Sequence, residues 1–180
     1  LSEPVLSGTA AGVVTAQAAK KTHLSPDTVI VSISHDQVAA AIGAGVFTSD
    51  TAVDGAGTVQ CIVPVYDTLP DLDVMSRGKF AVVPYAVPGK YVCYAFSYTG
   101  GALLNWCVNT LAKKEKEAAR AQGKSVYTEL EKDYREPTGL LVLPHFAGAA
   151  TPYMDTASKG AVLGLETSTT LENIYQGCME

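Results

Sequence analysis

Asp36 is the residue of this sequence best placed for acid–base chemistry. It ends the β-branched stretch Val29-Ile30-Val31-Ser32-Ile33-Ser34-His35, and small residues, Ala39 to Gly45, begin soon after it. A carboxylate at a strand-to-helix junction can face a cleft and take a proton from a bound hydroxyl. The same position suits an ordinary helix N-cap, the commoner use of a lone Asp there. Three further groups carry possible chemistry. Gly55, Gly57 and Thr58 sit at the bend of "DGAGTVQC", where exposed N–H groups and a hydroxyl can cradle phosphate oxygens, although an Asp-Gly turn alone explains them. Gly100 and Gly101 precede "ALLNW", so free N–H groups and the positive end of a helix dipole could meet an anion. His145 in "LPHFAG" has no Ser or Cys elbow beside it and reads as structural; His23 reads as a surface residue and His35 as a neighbour of Asp36.

The elements that must hold these residues follow from periodicity and caps. "TAQAAKKTHL" reads as a short helix capped by Thr15, and "SPDTVIVSIS" as a turn into a buried strand. Asp36 is then expected to cap "QVAAAIGAG". Residues 50–65 alternate around a glycine-bearing turn and predict a β-hairpin, and "KFAVVPYAVPGKYVCYAFSYTG" predicts two strands joined by "VPGK". Leu103, Leu104, Cys107, Val108 and Leu111 predict a helix that runs on into a charged, solvated end closed by Gly123. "SVYTELEKDYREP" is amphipathic, "GLLVLPHFAG" predicts a short buried strand, and "TTLENIYQGCME" opens a last helix capped by Thr169 or Thr170. The charge run "AKKEKEAAR" reads as a solvated face, and Trp106 with the scattered tyrosines as core.

Composition narrows the classes. The chain has 180 residues, 47% hydrophobic and 17% charged, enough to bury a core. A net charge of −5, with the basic residues gathered mostly in one segment, disfavours a nucleic-acid partner. Cys61, Cys93, Cys107 and Cys178 form no C-x-x-C pair and read as reduced thiols, which suggests a cytoplasmic protein. No apolar run is long enough for a spanning helix, so no membrane partner is expected, and no basic segment of a secretory signal opens the chain. The missing initial Met and the helical pattern at the last residues suggest an internal piece of a longer protein.

Taken in order, these features resemble the FGGY carbohydrate kinases, the family of glycerol kinase and xylulokinase. "KGAVLGLETSTTLENIYQGCME" is similar to the family's second signature at Gly160, Val162, Gly164, Leu165, Asn173, Ile174, Met179 and Glu180; Gly177 and Cys178 depart from it. "LPHFAGAATPYMDTASKGAVLGL" and "SGTAAGVVTAQAAKKTHL" resemble further family segments, so the likeness spans the chain apart from Leu111–Pro137.

The resemblance implies an α/β fold of the actin-like ATPase (ribonuclease H-like) type, present in part: a mixed sheet with antiparallel strands flanked by helices. Residues 1–46 would end an N-terminal sugar-binding domain and 47–180 would begin a C-terminal nucleotide-binding domain. It implies that Asp36 is the general base in ATP-dependent phosphorylation of a small sugar or polyol, with Gln37 helping to hold the sugar. Gly57 and Thr58 would approach the β- and γ-phosphates, and Gly101 and Asn105 would contact the nucleotide; Asn105 stands where a relative bears Gln. ATP and Mg2+ are implied, with the metal ligands outside this chain. The sugar is open among ketopentoses such as xylulose, gluconate, glycerol and other polyols, and homodimerisation of the full-length protein is left open. The piece alone is expected to be inactive. Two other readings stay in view: a sugar- or nucleotide-binding regulator without transfer, and an actin-like ATPase that switches conformation without any sugar.

Overall fold

A computed structural model describes residues 3, 5–133 and 136–180. Its elements are β1 (Ala10–Val13), α1 (Ala16–Thr22), β2 (Val29–Val31), α2 (Asp36–Gly43), β3 (Ala52–Ala56), β4 (Gln60–Tyr66), α3 (Leu72–Arg77), β5 (Ala81–Pro84), β6 (Tyr91–Ser97), α4 (Gly101–Thr110), α5 (Lys113–Ala121), α6 (Val126–Glu131), β7 (Leu141–Leu143), β8 (Ala161–Leu163) and α7 (Leu171–Gly177). The strands form two antiparallel pairs, β1-β2 and β7-β8, and a four-stranded sheet in the order β3-β4-β6-β5. By contacts the chain falls into two compact units: Leu1–Val53 with Val63–Asp73 and Ala81–Tyr94, and Asp54–Ile62 with Val74–Phe80 and Ala95–Glu180.

In the first unit, α1 begins as its sequence predicts, with the Thr15 hydroxyl accepting from the Ala18 N–H at 3.2 Å. Its end falls at His23, which is exposed and takes a left-handed φ of 60°. Val38, Ala41, Val63 and Val92 are wholly buried, and Tyr85 closes this core with its hydroxyl donating to the Val46 carbonyl at 2.7 Å. Each such valine contributes on the order of 1.5–3 kcal/mol relative to exposure. The hairpin of β5 and β6 turns at Gly89, whose φ of 81° is the conformation that favours glycine in "VPGK". β2, expected to be buried, is not: Val29, Ile30 and Val31 are 56%, 48% and 53% exposed. An apolar β-branched run specifies a strand, but burial needs a partner surface, and among the described residues β2 pairs only with the exposed β1.

In the second unit, the expected long helix over 101–122 is two helices. The N–H groups of Leu111 and Ala112 both converge on the Cys107 carbonyl, at 2.8 and 3.3 Å, and Lys116 then donates to Ala112 at 2.9 Å to start α5. The break lets α5 present Ala119 to the core already served by Cys107, Val108 and Ala112, which keeps Lys113, Lys114 and Glu117 in solvent. Val126 and Leu130 of α6 and Tyr175 of α7 complete that core. Burial pushes the Tyr175 phenol up in pKa, and its hydroxyl donates to Glu131 Oε1 at 2.8 Å. The amphipathic pattern expected to continue past α6 includes Tyr134 and Arg135, which lie outside the described residues. α7 starts on a capping box, with the Thr170 hydroxyl accepting from the Asn173 N–H at 3.2 Å and Asn173 Oδ1 accepting from the Thr170 N–H at 3.0 Å. β7, expected to be buried, leaves Leu141 65% and Leu143 41% exposed.

Candidate active site

Asp36 stands on the first unit at the start of α2, one residue further in than a cap. His35 is the N-cap: its Nδ1 accepts from the Gln37 N–H at 3.3 Å. The expectation that Asp36 caps the helix is thereby corrected: His35 takes the cap position and Asp36 is the first helical residue. Asp36 Oδ1 accepts from the same N–H at 2.7 Å and lies 3.0 Å from His35 Nδ1. Its side chain is 84% exposed, so Oδ2 faces solvent-accessible space where a proton can be received. The His35 ring rests near Tyr94, with centroids 5.3 Å apart, which orients the cap. Beside them the Gln37 Oε1 atom is buried with no hydrogen-bond partner among the described residues. A buried acceptor left unpaired costs about 1–3 kcal/mol, and such a cost is commonly tolerated where a ligand supplies the missing donor.

On the second unit the structure brings Gly57, Thr58 and Gly101 together. The bend of the β3-β4 hairpin is laid against the first turn of α4: Gly101 donates to the Gly57 carbonyl at 2.8 Å, and Gly100 and Ala102 donate to the Thr58 carbonyl at 3.0 and 3.1 Å. Leu103 in turn donates to Gly100 at 2.9 Å. The N–H groups expected to be free at this helix start are therefore spent on the hairpin. Gly100 is needed for that approach, and Gly101 eases it. A Cβ on Gly100 would meet the Gly57 oxygen at 2.9 Å and the Val59 carbonyl carbon at 3.0 Å, and one on Gly101 would meet the Gly57 oxygen at 3.1 Å. Gly57 and Thr58 themselves remain exposed at the bend.

Asn105 lies one turn further along α4, exposed, with its Oδ1 accepting from the Tyr127 hydroxyl at 2.7 Å. A cleft of about 500 Å3 opens along this helix start, walled by Gln60, Thr99, Gly100, Gly101, Cys178 and Glu180. Two features of it have no local sequence signal. The Thr99 hydroxyl donates to the Pro144 carbonyl. The Glu180 carboxylate takes the Thr138 N–H and hydroxyl, each at 2.8 Å, across a large sequence separation. His145 shares a 2.8 Å hydrogen bond with Ser158, in keeping with a structural histidine. Among the described residues no three His, Cys, Asp or Glu side chains converge as a metal site. None of the helices described is long and apolar enough to cross a membrane.

The family model described as the FGGY family of carbohydrate kinases, C-terminal domain, matches residues 56–180. The chain belongs to that family. Among FGGY relatives, a ribulokinase of Anoxybacillus flavithermus is 32% identical over 179 residues, covering 96% of this chain and 31% of that protein. A xylulose kinase from Rhodospirillum rubrum superposes with a TM-score of 0.71 at 26% identity, over 97% of this chain and 33% of that one. A glycerol kinase of Plasmodium falciparum, solved with ADP, shares the fold at a TM-score of 0.68 and 15% identity, over 96% of this chain and 33% of that one. The fold is accordingly the actin-like one of FGGY sugar kinases, present in part. The chain spans about a third of the length of the relatives it matches.

Proposed function

We propose that this chain is the part of an FGGY kinase that carries the catalytic base, and that the intact protein transfers the γ-phosphoryl group of ATP to a hydroxyl of a small sugar or polyol. The observation that carries this reading is the open carboxylate of Asp36 beside the orphaned Gln37 acceptor. As the acceptor hydroxyl attacks phosphorus, its proton passes to Asp36 Oδ2, while Oδ1 stays tied to the Gln37 N–H and keeps the carboxylate in place. Gln37 Oε1 takes a second sugar hydroxyl. Phosphoryl transfer asks for positioning and charge stabilisation rather than a protein nucleophile, and this inventory of one acid, glycines and a threonine fits that demand.

On the nucleotide side, Thr58 and the exposed bend at Gly57 approach the phosphates, and Asn105, held by Tyr127, contacts the nucleotide. Gly101 serves by letting the hairpin meet α4 rather than by offering its own N–H, which is already donated. ATP supplies the phosphoryl group. A magnesium ion is implied by the family, the described residues supply no ligand set for it, and no step here runs through it. Residues 1–46 belong on the sugar side and 47–180 on the nucleotide side, and this piece alone does not turn over.

The test is Asp36→Asn in the intact protein. Sugar-dependent ADP formation falls about 10²–10⁴-fold while the folded state is retained. Unchanged turnover removes the proposal; nucleotide hydrolysis that ignores sugars altogether supports a conformational ATPase instead.

A further inference from the structure

Tyr127 belongs to α6, in the stretch between Leu111 and Pro137 that carries no family motif. Its ring packs against the core that holds Cys107, Leu130 and Tyr175, with its centroid 6.4 Å from that of Tyr175. Its hydroxyl donates to Asn105 Oδ1 at 2.7 Å and so ties α6 to α4 across 22 residues of sequence. Asn105 follows Gly101 by four residues, which puts both on one stripe of α4, and Gly101 and Leu104 wall the 500 Å3 cleft. A primary amide has an acceptor end and a donor end. With Oδ1 turned to the phenol, the exposed Asn105 keeps its Nδ2 hydrogens as the end it can offer a ligand.

We infer, on the basis of the nucleotide contact proposed for Asn105, that Tyr127 is a positioning residue which fixes the Asn105 amide so that it meets the nucleotide as a hydrogen-bond donor. The ligand atom at this point is then an acceptor: a phosphate or ribose oxygen, or a ring nitrogen. An amino group placed there would face the Nδ2 hydrogens and find no acceptor. An unheld Asn amide turns about its terminal bond between two orientations, and a ligand must select one of them. The phenol makes that selection before binding. Its oxygen lone pairs are delocalised into the ring, so it donates better than it accepts, and the orientation with Oδ1 toward Tyr127 is favoured over the reverse. Because the ring is seated against the core, the hydroxyl is a fixed point, and ordering the amide in advance spares the nucleotide that cost. Asn105 is one methylene shorter than the Gln of a relative, and it is this shorter arm that Tyr127 holds.

The test is calorimetric binding of ADP to the intact protein, in the parent, Tyr127→Phe, Asn105→Ala, the two combined, and Asn105→Asp. Tyr127→Phe keeps the ring in place and removes the hydroxyl; ADP affinity falls about 3- to 10-fold while sugar affinity holds. In the Asn105→Ala background the same change has no further effect, because Tyr127 acts through the amide. Asn105→Asp keeps an acceptor for the phenol but turns an oxygen instead of N–H toward the nucleotide, and ADP affinity falls about tenfold or more. With adenosine as the probe, a matching loss in Tyr127→Phe places the acceptor on the nucleoside, and a loss seen with ADP alone places it on the phosphates; either supports the inference. Unchanged ADP affinity in Tyr127→Phe, an equal loss in both backgrounds, or undiminished binding by Asn105→Asp overturns it. Parent-like ADP binding by Asn105→Ala overturns it as well, by removing the nucleotide contact itself, whereas the turnover test on Asp36→Asn is decided independently of Tyr127.

Discussion

The start of α2 and the start of α4 are both junctions where a strand gives way to a helix, and they are built in opposite ways. At α4 the backbone consumes its own hydrogen-bonding capacity, with the N–H groups of Gly100, Gly101 and Ala102 all donating to the hairpin bend. At α2 capacity is left over: Asp36 is open to solvent and, among the described residues, the Gln37 Oε1 atom is buried without a donor. The difference teaches that the glycines and the Asp36–Gln37 pair do different physical work. The glycines make a frame by removing Cβ atoms from a close approach, while Asp36 and Gln37 keep polar atoms that the described residues do not engage.

The frame can be broken most severely at Gly100. Gly100→Ala drives a Cβ into the backbone of Gly57 and Val59, neither of which is a flexible side-chain end, and should cost about 1–3 kcal/mol in urea unfolding. A loss under ~0.5 kcal/mol would mean that the hairpin and α4 are not held this closely. At the open junction the sign reverses. Gln37→Met removes an unpaired buried acceptor while keeping the side-chain volume, so stability rises by roughly 1 kcal/mol. The intact protein should then bind its sugar more weakly, and unchanged sugar binding would show that the orphan atom faces no ligand.

His35 separates capping from chemistry. His35→Ala removes the cap and costs about 0.5–1 kcal/mol, whereas Asp36→Asn, at an exposed site, stays within about 0.5 kcal/mol of the parent. Equal losses for the two would restore Asp36 as the cap.

The smallest effect lies at Asp67, where Lys90 and then Ser49 hydrogen-bond the carboxylate and lower its pKa from the ordinary 3.8. A carboxyl whose folded pKa is depressed binds protons less readily than in the unfolded chain. Its contribution is therefore complete above that ordinary value and is lost as pH falls through the lower folded one. Asp67→Asn should flatten the acid limb of a stability–pH curve slightly and leave neutral pH almost unchanged, because the group is exposed.

Local signals were readable at several helix ends and turns. Thr15 and Thr170 cap the helices that their sequences announce, Gly89 turns the hairpin it is placed to turn, and Gly123, with a φ of 68°, follows the end of α5. What misled was a choice among competing partners, adjacent in one case and distant in others. His35 and Asp36 compete for one N–H, and only the built backbone shows the imidazole spanning the cap. The charged tail of the expected helix over 101–122 looks continuous because nothing local marks Ala112 as a buried corner. The pairing of Thr138 with Glu180 joins residues 42 apart and has no periodicity to betray it.

The sequence by itself determined the family and most of the local elements, because cap chemistry, turn glycines and apolar spacing act over a few residues and are written in residue type. Tertiary structure alone decided which polar groups are spent and which stay available. The α4 N–H groups are satisfied by a hairpin, and among the described residues the Gln37 oxygen is buried without a donor. Hydrogen-bond satisfaction depends on what comes within about 3 Å in space, and that distance is set by packing rather than by position along the chain.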